Sequence, residues 1–355
     1  MRTKFILSVL FSAIIAIAMG SGMAFAAEVP QLALPASGVL FAVSFIPMPQ
    51  MGGIAMETFY QQVWDKTAIK SIDAAMKDTF LDGIPDKSQY VTGSEEMQTI
   101  NSVFFGVEPD VLINNTTYPI PLQDLQGTAV ALTLDKYQTK VTPVTEDEMF
   151  ALAYDKIGEV TKSHTGAIIK TRLKKSIHAL APAGHTIKTP VLLTTGAATA
   201  DGLRLRLKWD DIIALRSAWT AAGFSIEDLR LVLCQDHVND LLLADTTFQK
   251  SYANFQGGII SNQLGFQMRE YAANPYFNVT TKAKLAFGAV VTTDYRQASV
   301  VFNVGLARKA AGMIKVYKDL PDAQNQRYLI AMRNFFICMP SIQQEIGAIV
   351  SGKPA

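Results

Sequence analysis

The stretch from Pro109 to Gly184 constrains this chain more than any other. It joins a Thr-rich extended arm, TAVALTLDKYQTKVTPVT, to a long helical segment, TEDEMFALAYDKIGEVTKSHTGAIIKTRLKKSIHALAPAG. From Thr128 to Thr142 the residues are strand formers, with apolar–polar alternation at Val130, Leu132 and Leu134. Alternation fades at Lys136, Gln138 and Lys140, which predicts a hairpin arm leaving the body for water. Thr145 with Glu148 makes a capping box: the hydroxyl satisfies the Glu148 amide and the carboxylate reaches back to the Thr145 amide. Met149, Leu152, Ala153, Ile157, Val160, Ile168, Leu173, Ile177 and Leu180 then hold approximately one face, and Pro182 and Gly184 end the helix. About 35 residues at helical rise give roughly 50 Å, well beyond an ordinary globular helix. Gly158 and Gly166 each cost about 1 kcal/mol relative to Ala and are candidate bends. A compact enzyme seldom needs such an arm or such a beam. A subunit that reaches across its neighbours needs both.

The remaining segments are ordinary. METFYQQVWDKTAIKSIDAAMKDTFLDGIPD carries Phe59, Val63, Ile69 and Ile72 at roughly helical spacing, and Gly83 and Pro85 stop it. Residues 111 to 121 contain Asn-Asn-Thr-Thr and two prolines, so they extend and turn. KWDDIIALRSAWTAAG has an acidic first turn and a final Gly223, which marks a helix. DLRLVLC reads as a strand, followed by a short helix begun near Asp236. FQGGIISNQLGFQMREYAANPYF reads as short strands with turns. KLAFGAVV, ASVVFNVGLARKAAG and RYLIAMRNFFICMP read as returning strands with one helix. The pattern is α+β.

Length and composition suit one large domain or two ordinary ones: 355 residues, 49% hydrophobic and 18% charged. A formal net charge of +1 gives no global bias toward nucleic acid or anionic membrane. Two cysteines, Cys234 and Cys338, are too few for a disulfide framework, and both sit in apolar runs as small buried hydrophobes.

The N-terminus differs in kind. Residues 1–27 form a signal-like leader: Arg2 and Lys4, an apolar run, then Ala24-Phe25-Ala26 at a cleavage position. That run is short for a spanning helix. Residues 28–55 are an uncharged apolar segment without a usable period, read as disordered or not translated. Charge returns at Glu57.

No catalytic signature is present: neither G-x-S-x-G, H-E-x-x-H, a Walker loop nor a dinucleotide fingerprint. No enzymatic activity, cofactor, metal or small-molecule substrate is expected. Within Gln235-Asp236-His237-Val238-Asn239-Asp240, Asp236 and His237 are candidate metal ligands. The plainer alternative is that Asp236 caps the helix and His237 is a polar first-turn residue, and it is preferred. His164, His178 and His185 are dispersed and lack the partners of a metal triad. Trp64, Trp209 and Trp219 read as core or interface anchors. Asn115 and Asn278 head N-x-T sequons, which matter only in a glycosylating compartment.

In order along the chain, FLDGIPD, DVLINNTTYPIP, LDKYQTKVTPVTEDEMFALAYDKI, LRLVLCQDHVNDLLLAD, LGFQMREYAANPYF and ASVVFNVGLARKAAGMIKVY resemble the major capsid protein of tailed phages with the Hong Kong 97-type fold. The likeness runs from about residue 56 to 350 and points to phages and proviruses of Bacteroidetes. The resemblance implies an N-terminal arm over 56–108 and an extended β-loop over 109–144. It implies a peripheral domain with the long spine helix over 145–202, an axial domain over 203–270, and strands returning to the peripheral domain over 271–355. It further implies self-assembly through pentamers and hexamers into an icosahedral shell enclosing phage DNA. The implied partners are scaffold and portal proteins, with the packaged DNA held by weak non-specific contact. On this reading Lys136 and Lys140 pair with acidic residues of an adjacent subunit. Lys170, Arg172, Lys174 and Lys175, with Lys162 before them, form an inner face for genome phosphates or a neighbour's carboxylates; the alternative is a solvated helix face. Assembly belongs in the host cytoplasm, so residues 1–55 are read as an upstream extension with translation starting at Met51 or Met56. A genuine export signal is the alternative there. Two other readings of the whole chain are an encapsulin-like shell protein and a secreted or periplasmic α+β binding protein.

Overall fold

The structure is a computed structural model. It describes residues 66, 68–94, 96–105, 111–120, 127–145, 156–253, 259–319 and 326–354. The chain divides into two compact units, Met1–Gln62 and Val63–Ala355, and every described residue belongs to the second. The leader, residues 28–55, Met51, Met56, Trp64, and Glu148 of the expected capping box lie outside the described residues.

Among the described residues, three sheets organise the second unit. The first is antiparallel, β1 (Val91–Gly93), β2 (Gln98–Phe105) and β3 (Gly127–Thr133), in that order. The second contains β4 (Asp135–Gln138) and β5 (Thr142–Thr145), which pair one after the other with the long strand β13 (Arg327–Pro340). β12 (Ala307–Asp319) pairs with the opposite edge of β13. The fading alternation at 136–140 therefore does not mark chain leaving the body. Tyr137 and Val144 are buried, while Lys136, Gln138, Pro143 and Thr145 face water.

The long helix, α2 (Lys156–Leu180), follows the short helix α1 (68–76) in the chain and lies on β13. Its 25 described residues span roughly 37 Å. The buried stripe is more polar than its sequence suggests: Ile168, Ile177 and Leu180 alternate with His164, Thr165, Arg172 and Ser176. Thr165 and Ser176 donate to the carbonyls of Thr161 and Arg172, one turn back, at 2.9 and 2.7 Å. Such small, self-satisfied hydroxyls let the helix lie close to the strand without stranding a donor. The helix stops before Pro182, where Lys284 Nζ donates to the carbonyls of His178 (2.7 Å) and Ala181 (2.6 Å). This supplies partners that a helix C-terminus lacks.

The third sheet runs β6 (Val191–Leu193), β14 (Ile346–Val350), β11 (Tyr295–Asn303), β7 (Leu229–Leu233), β9 (Phe266–Glu270) and β8 (Ser261–Gln263), with β10 (Tyr276–Asn278) also on β11. β14 with β6 and β7 with β9 are parallel; the other pairs are antiparallel. All residues of β7 and β14 are buried, as in a sheet covered on both faces. Leu229, Leu231, Leu233, Val301 and Ile349 pack with α3 (Trp209–Ala221), α4 (Gln235–Ala244) and α5 (Thr246–Ala253). Val232, Val300, Phe302 and Ala348 point the other way, into the core shared with α2. α3 begins where the acidic turn predicts: Asp211 accepts the Lys208 amide at 3.1 Å, and Gly223 beyond the helix takes φ +85°.

Candidate assembly surfaces

β2 and β3 form an antiparallel hairpin. Between its strands the described residues 111–120 expose Val111 (83%), Ile113 (83%) and Tyr118 (75%), with Leu112 and Ile120 also open to solvent. A contiguous set of large apolar side chains at a loop tip is a liability in an isolated chain and marks a contact surface. The Asn115 side chain shapes the tip, accepting the Thr117 amide at 3.0 Å.

The base of this hairpin is fastened to the second sheet. Ile100, Leu134, Ala310 and Phe335 form a small core there. Gln98, buried at the start of β2, accepts the Met313 amide at 2.9 Å through its side chain and the Leu134 amide at 2.8 Å through its carbonyl. Glu96 reaches Lys136 at 3.0 Å and Arg333 at 3.6 Å. The Lys136 ammonium holds the exposed Glu96 carboxyl below the usual carboxylate range.

The candidate basic residues separate into three groups. Lys140, Lys162, Lys170 and Lys174 are exposed. Lys136 is bonded to Glu96, and Lys175 to Asp135 at 2.6 Å. Arg172 departs from the basic-face reading: it is 3% exposed, its guanidinium lies 3.8 Å from the Phe336 ring centre, and Nε and Nη1 have no partner. Helical periodicity places it a turn from Ile168 and Ser176 on the buried stripe, out of reach of a neighbour. Burial pushes its pKa down to about 10.

The 235–240 cluster is structural. α4 starts at Gln235 with Cys234 as N-cap, so Asp236 is not the cap. His237 is fully buried and bonded on both nitrogens, Nδ1 to Ser299 Oγ at 2.7 Å and Nε2 to Ser351 Oγ at 2.9 Å. It pins α4 to β11 and to the residue after β14. Burial lowers its pKa to about 4, so the ring is neutral near pH 7. Asp240 receives Arg204 at 2.5 and 3.0 Å and the Leu207 amide at 3.0 Å. His178 Nε2 bonds the Leu285 carbonyl at 2.8 Å, and His185 Nδ1 accepts the Val191 amide at 3.0 Å. Among the described residues no group of three His, Cys, Asp or Glu could hold a metal ion. Both cysteines are buried free thiols, pushed up by burial to about 11 for Cys234 and about 12 for Cys338.

One constellation escaped sequence reasoning. Arg230 on β7 donates to the carbonyls of Phe80 (2.8 Å) and Asp82, and to Gln267 Oε1 at 2.8 Å. Arg269 on the adjacent β9 donates to Asp78 and Thr79 carbonyls at 3.2 and 2.9 Å. Lys309 Nζ reaches the Leu81 carbonyl at 3.1 Å. Two arginines of the third sheet and one lysine of the second thus clamp the backbone that follows α1. The signal was a basic residue inside each of two otherwise buried strands, LRLVL and FQMRE.

The chain has the Hong Kong 97-type fold, a mixed α+β architecture. The chain is similar to the capsid structure of cyanophage P-SCSP1u at 15% identity, covering 78% of this chain and 88% of that one, with a TM-score of 0.50. It is also similar to the capsid of an empty GTA particle (10% identity, 76% and 88% covered, TM-score 0.49). A third similar structure is a virus-like particle from Pyrococcus furiosus (9%, 82% and 99%, TM-score 0.46). No family model and no curated protein matches the sequence. Among the described residues no helix is long and apolar enough to cross a membrane.

Proposed function

We propose that this chain is a major capsid protein, a structural subunit that self-assembles through rings of five and six into an icosahedral shell around phage DNA. The carrying observation is the β2–β3 hairpin: it holds five exposed apolar side chains over 111–120 and is anchored at its base by Gln98 and Glu96. Such an arm gains from burial only against another molecule, and the fold is one that capsids use. Heterologous contacts of this kind close into rings. The role is architectural rather than enzymatic.

The exposed Lys140, Lys170 and Lys174 are the proposed charged contacts, facing a neighbour's carboxylates or packaged phosphates. Lys136 and Lys175 join them only by exchanging their present carboxylate partners. Scaffold and portal proteins would be further partners, assembly would take place in the host cytoplasm and the product would be the virion capsid. Residues 1–55 would be an upstream extension, and the mass of the native N-terminus tests that. The functional test is electron microscopy of the chain expressed from Met56, with an assay for enclosed nucleic acid. Closed shells are expected from the chain alone, and DNA-filled ones where the portal partner is present. A shell filled with protein cargo would overturn the reading, as would an exported soluble monomer cleaved at Ala26 when the chain is expressed from Met1.

A further inference from the structure

A groove of about 560 Å³ runs between α2 and the β4–β5 edge of the second sheet. β4 is the last strand of that sheet, and among the described residues no strand pairs with its outer side. His164 lines the groove and is only 8% exposed. Lys136 and Lys140 stand in the lining, with the hydroxyl residues Thr139, Ser163 and Thr171, and among the described residues no carboxylate lines it. The Lys136 ammonium, which lines the same groove, already holds one carboxylate, that of Glu96 at 3.0 Å.

We infer that this groove binds an extended acidic peptide from another protein molecule. The peptide backbone adds to the free edge of β4, the mode by which open sheet edges take strands. Its carboxylates face Lys140 and His164. A groove of about 560 Å³ between a helix and a strand edge has room for a few residues of one extended chain. The inference goes beyond the shell reading and does not depend on it, because binding is measured on the purified full chain whether or not it assembles.

The test is fluorescence anisotropy with a labelled oligoglutamate peptide, oligoglutamine as the uncharged probe, and duplex DNA as competitor. Oligoglutamate is expected to bind and oligoglutamine not to. Lys140→Glu should weaken binding by about tenfold or more, as loss and reversal of one facing charge does. Lys188→Glu, on an exposed loop away from the groove, should leave it near wild type. His164→Gln, compared only if its melting curve matches wild type, should also weaken binding; Lys140→Glu is a surface change and tests the idea if His164→Gln fails to fold. Equal binding of the two peptides, equal loss in Lys188→Glu and Lys140→Glu, unchanged binding in folded His164→Gln, or displacement by DNA ahead of unlabelled peptide would each overturn it.

Discussion

The side-chain oxygen of Gln98 occupies the space where a Cβ on Gly312 would stand. It accepts the next residue's amide, that of Met313, at 2.9 Å. The pairing between β12 and β13 shifts register between Ala311 and Ile314, and Gln98 enters at that irregularity. Here the missing side chain is what lets the base of the hairpin lock onto the second sheet. Gly312→Ala should therefore cost about 1–3 kcal/mol, as overpacking of a tight contact does. Gln98→Ala in the same chain should recover part of that loss, since Phe335 Cβ also crowds the site at 2.9 Å. Denaturant unfolding of the two single variants and the double variant measures the coupling; strict additivity would contradict the contact.

His237 makes stability depend on acid. The ring is neutral in the folded chain with a pKa of about 4, whereas an unfolded histidine titrates near 6.5. The unfolded chain therefore takes up the proton first as pH falls. The contribution is fully present above pH 6.5 and is lost between there and pH 4, by about 3 kcal/mol. Urea unfolding of wild type against His237→Asn across this range isolates the effect from the carboxylates. Parallel pH profiles would refute it.

The Arg230 clamp should be worth more than a surface contact. Arg230→Met strands the carbonyls of Phe80 and Asp82, which a buried guanidinium now satisfies. A loss of about 2–4 kcal/mol is expected, with faster amide exchange across residues 78–84. Unchanged exchange there would show that the carbonyls find other donors.

Arg172 should behave oppositely. Its guanidinium is buried with two nitrogens unpartnered, and the stacking on Phe336 does not satisfy them. Replacing a poorly compensated buried charge with an apolar side chain of similar length is often neutral or stabilising. Arg172→Met should melt within about 1 kcal/mol of wild type or above it. A large destabilisation would mean that the charge is paired in solution.

What was legible in the sequence was local. α3 shows in its acidic first turn and Gly223, β7 in LRLVL, and the end of α2 in Pro182. Each signal lies within a few residues of the element it shapes. The pairing of β4 and β5 with β13 joins segments nearly two hundred residues apart, and nothing near Lys136 encodes it. Arg172 was grouped with Lys170 and Lys174 by charge, although helical phase puts it one turn from Ile168 on the apolar face. His237 was taken as a polar first-turn residue because its partners, Ser299 and Ser351, are remote in the chain. The resemblance carried the overall architecture further than periodicity did, since order and spacing of segments reflect topology.

The central claim is that the hairpin tip drives association. Sedimentation velocity of the chain from Met56, beside a variant with Val111, Ile113 and Tyr118 changed to Ser, tests it most directly. The account predicts large closed particles for the wild type and a folded, slowly sedimenting species for the variant. A wild type that stays monomeric, or a variant that assembles as well as wild type, would contradict it.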